Sequence, residues 1–257
     1  MANVVGKRNK SVNFDNRIVG GEPVPVEMFP ASVKFYNFGA FCSGTIINSW
    51  CVLTAAHCFD NNKEVYDMMI EVGARYTHDS GGDVYEVLKY VIHEDYNKTI
   101  PFSCDIALIF PTRLMKLGNK SKKALIVNTN KWMNVTEKNI IVTGWGWTRY
   151  GGPISKPGLM KTYLRFVSLK DCEEMHNIRL TPDMFCLYGE GTRDTCKGDS
   201  GGGVLWNDFV IGVVSHGDGC ARKNKPSVYA NVWYFRQWIK TQMEHFVEKV
   251  CDMFPPD

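Results

Sequence analysis

The chain has 257 residues, of which 44% are hydrophobic and 22% are charged. These proportions are ordinary for a folded globular protein, and the length is enough for one or two domains. The formal net charge of +3 gives no reason to expect a nucleic-acid partner. No apolar run approaches the roughly 20 residues that a transmembrane helix requires, so no membrane span is expected.

The N-terminal segment, residues 1–17, shows no hydrophobic periodicity. It is polar and basic, with Lys7, Arg8 and Lys10, and it lacks the apolar core of a secretory signal peptide. Short runs that alternate or are rich in β-branched residues begin after Ile18, and clusters of turn residues bound them. They predict strands over Ala31–Tyr36, Thr45–Ile47, Met68–Val72, Val84–Val91 and Ile106–Phe110.

A segment rich in lysine and asparagine, residues 111–138, separates these runs from a second set and reads as a crossover. The second set predicts strands over Ile140–Thr143, Met160–Val167, Met184–Leu187, Val204–Leu205, Val210–Ser215 and Val228–Val232. No helical spacing connects consecutive strands, so a parallel sheet is not expected and an antiparallel, all-β architecture is.

The C-terminal region has a different pattern, in which apolar residues recur mostly every three or four positions between Phe235 and Val250. This spacing predicts an amphipathic helix over about residues 234–251, which Pro255-Pro256 follows. We expect its apolar face to pack on the protein core rather than on a membrane or a partner.

Three short motifs carry the chemistry. They are Ala55-Ala56-His57-Cys58, Asp105-Ile106-Ala107-Leu108 and Gly198-Asp199-Ser200-Gly201-Gly202. A serine hydroxyl becomes a good nucleophile when a histidine takes its proton and a buried carboxylate orients that histidine. Each motif alone has a plain alternative: a satisfied histidine, a solvated carboxylate at a strand edge, or a glycine-rich turn.

The glycine-rich motif also fits the nucleophile elbow of α/β-hydrolases. That fold requires the order Ser, Asp or Glu, His on a strand–turn–helix. Here the order is His57, Asp105, Ser200, and the surrounding pattern is short strands and turns. The order favours the chymotrypsin-type barrels.

The chain resembles a trypsin-like serine protease of the chymotrypsin family. The resemblance covers residues 18 to about 245. Besides the three motifs, the segments that carry it are Arg17-Ile18-Val19-Gly20-Gly21, Ser43-Gly44-Thr45-Ile46, Thr143-Gly144-Trp145-Gly146, Lys223-Asn224-Lys225-Pro226 and Val228-Tyr229.

This resemblance implies an all-β fold of two packed antiparallel six-stranded β-barrels with a C-terminal α-helix, and an active site between the barrels. The implied domains are an activation peptide over residues 1–17 and a protease domain over residues 18–257. Within the protease domain, the first barrel is expected at about 18–125, the second at about 126–233 and the helix at about 234–251.

The resemblance also implies roles for the motif residues. Ser200 is the nucleophile, His57 the general base and then acid, and Asp105 the orienting carboxylate. The backbone N–H groups of Gly198 and Ser200 form the oxyanion hole, where a Cβ at position 198 would crowd the substrate carbonyl.

Activation is implied by the Arg17–Gly21 segment. Cleavage between Arg17 and Ile18 would free the α-amino group of Ile18, which inserts and pairs with Asp199 to shape the oxyanion hole. The alternative for Arg17 is a solvated basic residue.

Asp194 stands at the position of the primary pocket's base, where a carboxylate selects a substrate Lys or Arg through a charge-assisted pair. The expected substrate-binding residues are Asp194, Thr195, Ser215, His216, Gly217, Gly219 and Ser227. Three of them depart from the usual pattern. His216 replaces a tryptophan, while Ser227 replaces a glycine and Thr195 a smaller residue, so that both narrow the space around Asp194.

Nine cysteines are present, and their spacing alone assigns no connectivity. The resemblance implies disulfides Cys42–Cys58, Cys172–Cys186 and Cys196–Cys220, which persist in oxidising compartments. Of the other three, we expect Cys104 to pair with Cys251 and Cys51 to stay a buried free thiol. A Cys251 that is free or that bridges two chains is the alternative.

The expectation from sequence is therefore a secreted serine endopeptidase, made as a zymogen, that cuts after Lys or Arg. Tripeptides of the N-glycosylation pattern, which are common by chance, support secretion weakly; they begin at Asn9, Asn97, Asn119 and Asn134. The expected partners are protein substrates, an activating protease and a protein inhibitor, for a monomer with no cofactor and no metal. The alternative is a catalytically silent, partner-binding relative whose primary pocket is obstructed by Ser227 and Thr195.

Overall fold

The computed structural model describes residues 18–76, 81–134, 140–147, 151 and 158–253, with only the backbone described at 251–253. The expected activation peptide, including Arg17, lies outside the described residues, as does the side chain of Cys251.

The first barrel follows a short strand, β1 (Glu22–Pro23), and is antiparallel and closed, in the order β2-β3-β4-β7-β6-β5. Its strands are β2 (Ser32–Asn37), β3 (Ala40–Asn48), β4 (Cys51–Thr54), β5 (Met68–Val72), β6 (Asp83–Ile92) and β7 (Ala107–Pro111). Alternate side chains point into a barrel. Phe35, Ile70 and Tyr85 lie directly opposite one another on three neighbouring strands and form one buried layer of the core.

The second barrel is built from later strands in the order β10-β11-β14-β13-β12-β9, and pairing of β9 with β10 closes it. The six strands of this barrel are β9 (Ile140–Gly144), β10 (Met160–Val167), β11 (Met184–Tyr188), β12 (Gly203–Trp206), β13 (Phe209–His216) and β14 (Ser227–Asn231). A further short strand, β8 (Leu125–Ile126), lies outside the barrel. Strand β1 extends this sheet beside β10, and β8 pairs in parallel with β13. The expected fold of two six-stranded barrels is confirmed.

Two α-helices complete the described structure: α1 (Leu169–His176) and α2 (Val232–Met253). The C-terminal helix was predicted over about 234–251, and it extends two residues further at each end. Helix α1 was not predicted. It has a clear N-cap, because the Ser168 side chain accepts a hydrogen bond from the Asp171 amide (3.1 Å), and it ends at Asn177 with φ of 55°.

Helix α2 packs on β13 and β8 of the second sheet, and its later part also packs on the first barrel. The Phe246 ring stacks on Phe110, with ring centroids 4.1 Å apart, and on Trp50 at 5.7 Å. Nearly two turns after its start, Trp238 donates a hydrogen bond to Glu94 (2.8 Å). Within the described residues, no helix combines the length and the hydropathy that a membrane span requires.

The structure contains the disulfides Cys42–Cys58, Cys172–Cys186 and Cys196–Cys220. Cys51 is a buried free thiol, as expected. The expected Cys104–Cys251 pair is wrong, since Cys104 is also free. Helix α2 passes the loop before Cys104 at Trp238, and at 1.5 Å per residue Cys251 lies about 20 Å further along the helix.

The barrels meet where the catalytic motifs lie. Strands β4 and β7 pair Thr54 with Ala107, so the chain leaves β4 towards His57 at the same end at which Asp105 enters β7. Ser200 lies in the turn before β12 of the second barrel, and its carbonyl accepts a hydrogen bond from the Ser43 amide of β3 (2.7 Å). This contact places residues from both barrels at one interface.

Candidate active site

The buried carboxylate of Asp105 holds the His57 side chain and backbone. Its Oδ1 accepts from the His57 amide (2.9 Å) and its Oδ2 lies 2.8 Å from His57 Nδ1. An ionised carboxylate only accepts hydrogen bonds, so Nδ1 carries the proton. The other ring nitrogen, Nε2, is therefore left with a lone pair that can accept a proton.

The same contacts set the charge states of the pair. Burial lowers the pKa of His57, but the charge and hydrogen bond of Asp105, helped by the charge of Asp60, outweigh it and raise this pKa above its usual value. Burial raises the pKa of Asp105, but His57 and the donor hydroxyl of Ser215 outweigh it and lower this pKa. The pair is thus ready to hold an imidazolium when a proton arrives.

Ser200 and His57 line one cleft of about 410 Å³ between the barrels. Within the part of the chain that the structure describes, the Ser200 hydroxyl makes no side-chain hydrogen bond, so it is not engaged elsewhere. Hydrogen bonds between catalytic groups are often long without substrate and shorten when it binds.

The backbone around Ser200 is shaped by glycines. Gly198 has φ of +97°, and a Cβ there would lie 2.9 Å from the Gly146 Cα; Gly201 has φ of +80°, and a Cβ there would lie 2.2 Å from the Thr54 hydroxyl. In the described structure the amides of Gly198 and Ser200 have no backbone acceptor, whereas the Gly201 amide donates to Val214. Two free amides beside a serine hydroxyl form a site for an oxyanion.

Asp199 is fully buried behind this turn. Its carboxylate accepts from the amides of Gly146 (2.9 Å) and Cys196 (2.8 Å). Burial raises the pKa of Asp199 to about 7, with Asp194 adding to the effect. Among the described residues no cation pairs with it. Ile18 is itself fully buried, and the next carbonyl, of Val19, accepts from the Asp194 amide (3.1 Å).

Asp194 is satisfied by the protein itself. It accepts from the amides of Thr195 (2.9 Å) and Ala221 (2.8 Å) and from the Ser227 hydroxyl (2.6 Å). Burial raises the pKa of Asp194 to about 6 despite these donors. The carboxyl group is buried, and the Ser227 side chain, which donates to it, lines the cleft.

Ser227 also lies close to Gly217, another residue that lines the cleft. A Cβ at Gly217 would lie 2.9 Å from the Ser227 hydroxyl oxygen. The Thr195 hydroxyl lies 3.1 Å from the Tyr229 hydroxyl, and Thr195 lines the cleft. The cleft is lined by Ser227 and Thr195 together with Ser215, His216, Gly217 and Gly219, but not by Asp194.

Sequence reasoning missed three residues of the cleft, Phe102, Lys197 and Val214. The Phe102 ring stacks on His216, with centroids 4.5 Å apart, and meets His57 edge-on at 5.8 Å. Lys197 lies directly before Gly198, with its ammonium 5.2 Å from the Trp147 ring centroid. No spacing in the sequence signals either contact, because each depends on a loop conformation.

Known proteins are similar to this chain over most of its length. Residues 18–239 match the family model described as Trypsin. The chain is 34% identical over 231 residues to trypsin epsilon of Drosophila erecta, covering 88% of each chain. It is 32% identical to hypodermin-B of Hypoderma lineatum (91% of this chain and 90% of that one) and 32% identical to trypsin-4 of Rattus norvegicus (90% and 92%).

The electrostatics of His57 give a first prediction. In the Asp105→Asn variant the pKa of His57 falls below its value in the unaltered protein, because the imidazolium loses its buried counter-charge while the burial that disfavours it remains. NMR titration of the histidine ring measures this. Asp60→Asn is the matched control and produces a smaller fall, since Asp60 acts through charge alone. An equal or larger shift for Asp60→Asn contradicts the prediction.

Proposed function

Because the chain belongs to the trypsin family of serine proteases, we propose that it is a secreted endopeptidase, activated by cleavage after Arg17, that hydrolyses peptide bonds after Lys or Arg. The observation that carries the proposal is that His57, oriented by Asp105, lines one cleft with Ser200, and that the amides of Gly198 and Ser200 have no backbone acceptor in the described structure. Its partners are protein substrates, an activating protease and a protein inhibitor. The three disulfides support secretion, because such bonds persist in oxidising compartments.

The mechanism starts at the free lone pair of His57 Nε2. This nitrogen removes the Ser200 proton as the hydroxyl oxygen attacks the substrate carbonyl, and Asp105 stabilises the imidazolium. The amides of Gly198 and Ser200 stabilise the negative oxygen of the tetrahedral intermediate. His57 then protonates the departing amine, and water repeats the cycle to release the acyl group from Ser200.

Activation is supported by the environment of Asp199. Among the described residues, the donors to the buried Asp199 carboxylate are two neutral amides, which compensate its charge poorly. Cleavage after Arg17 would turn the Ile18 nitrogen into an ammonium, on a residue that is already buried. Pairing with that ammonium would keep Asp199 ionised and hold the Gly198–Ser200 turn in its competent conformation.

Specificity is proposed to favour Lys over Arg. Asp194 supplies the charge, but the Ser227 side chain stands between it and the cleft. A compact ammonium needs less space than the planar, forked guanidinium, and the Ser227 hydroxyl oxygen can accept a hydrogen bond from it.

A catalytically silent relative that binds partners is the second candidate. One observation favours it, namely that Asp194 does not line the cleft while Ser227 and Thr195 do. In that case no basic side chain reaches Asp194, and the first experiment below separates the two candidates.

The first experiment treats the protein, cut after Arg17, with a serine-directed organophosphate. Labelling of Ser200 alone, with loss of label in Ser200→Ala, is expected, because only Ser200 has a neighbouring base and two free amides. Ser200→Ala, His57→Ala and Asp105→Asn should each lower kcat by several orders of magnitude, and non-additively. A cut protein that takes no label, or that is labelled but hydrolyses neither Lys nor Arg substrates, supports the silent relative.

The uncut chain should be nearly inactive, and cleavage should switch it on. The ion pair with Asp199 raises the pKa of the Ile18 amine above its free value of about 8. Its stabilisation is therefore complete below about pH 8 and is lost as the pH rises through the higher folded value. The measurement is peptide hydrolysis before and after cleavage, across pH. Equal turnover by both forms sinks the activation proposal.

Ser227→Gly should raise kcat/KM for Arg substrates relative to Lys by about tenfold, because a pocket change of this size is worth roughly 1–3 kcal/mol. The assay compares matched Lys, Arg and Phe substrates. Ser227→Ala, which keeps the Cβ and removes the hydroxyl, separates bulk from hydrogen bonding. An unchanged Lys-to-Arg ratio in Ser227→Gly refutes the steric argument, and a preference for Phe in the unaltered enzyme refutes the role of Asp194.

A further inference from the structure

A second histidine, His216, is connected to the triad carboxylate through one hydroxyl group. The Ser215 hydroxyl lies 2.5 Å from Asp105 Oδ2 and 3.0 Å from His216 Nδ1. Asp105 Oδ2 is the same oxygen that receives His57 Nδ1. Both histidine rings are therefore linked to one carboxylate, the first directly and the second through Ser215.

Counting protons fixes the direction of each bond. The Ser215 hydroxyl has a single proton, and the ionised Asp105 carboxylate has none to donate. If Ser215 gave its proton to His216, two oxygen lone pairs would face each other at 2.5 Å. Ser215 therefore donates to Asp105, and its own oxygen accepts from His216, whose Nδ1 carries the hydrogen.

The surrounding structure holds the His216 ring in the orientation that this bond requires. The Phe102 ring lies nearly parallel to it, with an interplanar angle of 16°. Phe102 has φ of 63°, a left-handed conformation that is unusual for a bulky residue, and its amide donates to the Asn97 side chain (3.1 Å). Strain of this kind persists where the surrounding contacts impose it.

We propose that His216 is a positioning residue for the reaction at Ser200: its Nδ1–H bond fixes the Ser215 hydroxyl so that the Ser215 proton is always directed at Asp105. The inference rests on the proposed function, but it concerns a residue type that stands where the family usually has tryptophan. A tryptophan side chain has no ring nitrogen at the position of His216 Nδ1. It would therefore offer the Ser215 hydroxyl no donor there.

The bond has a consequence for His57. A donor that is held in place and polarised by a further donor makes a stronger hydrogen bond. The stronger bond disperses negative charge on Asp105, so Asp105 stabilises the His57 imidazolium less. His216 thereby keeps the pKa of His57 lower than a chain without this donor would.

The charged groups that face His216 are Asp105, His57 and His176. Burial lowers the pKa of His216 to about 4, the Asp105 charge opposes this, and the two histidines add to the lowering. His216 is thus neutral over the range in which His57 titrates. Its Nδ1–H donates in the neutral form, so the link to Ser215 is present throughout that range.

The test compares two substitutions that each remove one property of His216. His216→Phe keeps a ring against Phe102 and removes the donor, whereas His216→Asn removes the ring and places an amide N–H near the former Nδ1. The pKa of His57 is measured by NMR of ¹⁵N-histidine-labelled protein cut after Arg17. We expect it to rise by about 0.3–1 unit in His216→Phe and to stay within about 0.2 units of the unaltered protein in His216→Asn.

Activity gives a second readout. The substrate carries only a single Lys residue before the scissile bond, so that contacts with neighbouring subsites do not enter. At a fixed pH on the acid limb of the pH profile, kcat/KM should be about two- to tenfold lower in His216→Phe than in the unaltered protein. The limb itself should move to higher pH. His216→Asn, which keeps an N–H donor near the Ser215 hydroxyl, is the control and should leave the limb where it is.

Three results would overturn the proposal: an unchanged His57 pKa in His216→Phe, an equal shift in both His216 variants, or a ¹⁵N spectrum of the unaltered protein that shows His216 protonated on Nε2 instead of Nδ1. The last needs no variant to fold. If the cut protein hydrolyses nothing, the proposed function fails, while the NMR measurements still decide the role of His216.

Discussion

The burial of the Asp105 carboxylate is the constraint on which the rest of the site depends. This group is 1% exposed, and its charge is tolerated because donors surround it: two from His57 and one from Ser215. His57 belongs to the first barrel and Ser215 to the second. Satisfying one carboxylate therefore fixes the distance between the barrels, and with it the cleft in which Ser200 lies.

Two more buried carboxylates, Asp194 and Asp199, show the opposite electrostatic outcome. Asp105 has a partner, His57, that can become positively charged, and this partner lowers the pKa of Asp105. Asp194 and Asp199 have only neutral donors, and burial raises their pKa values to about 6 and about 7. Each is thus a buried carboxylate whose ionised form a cation would stabilise. In the proposed function, the substrate supplies that cation at Asp194 and the new Ile18 terminus supplies it at Asp199.

The cleft combines residues of the usual family pattern with residues that depart from it. The Ser227 hydroxyl sits on Asp194 at 2.6 Å, where it narrows the pocket and also supplies a polar oxygen for a substrate ammonium. Phe102 and His216 form a stacked pair on another side of the cleft. Both features act on groups that the reaction uses, so small substitutions here should change selectivity and proton affinity without altering the barrels.

The sequence by itself determined eleven of the fourteen strands in the described part of the chain, the long helix and the three motifs. The alternation around Val33, Phe35 and Ile70 and the helical spacing around Phe246 are local patterns. A strand or helix with one buried face must have apolar residues at such a spacing within its own sequence. Helix α1 was missed because one buried side chain, Cys172, makes no periodic pattern. Strand β4 was likewise read only as part of a motif.

What only the tertiary structure decided are contacts between residues far apart in the chain. The Ser227 bond to Asp194 and the stacking of Phe102 on His216 belong to this class. The free thiol of Cys104 is a related case, because it depends on which residues the fold brings near Cys104. Each depends on how loops from different strands approach one another, to within a fraction of an ångström for a hydrogen bond. No local pattern of side chains carries that distance, because it is set by the packing of the barrels around Asp105.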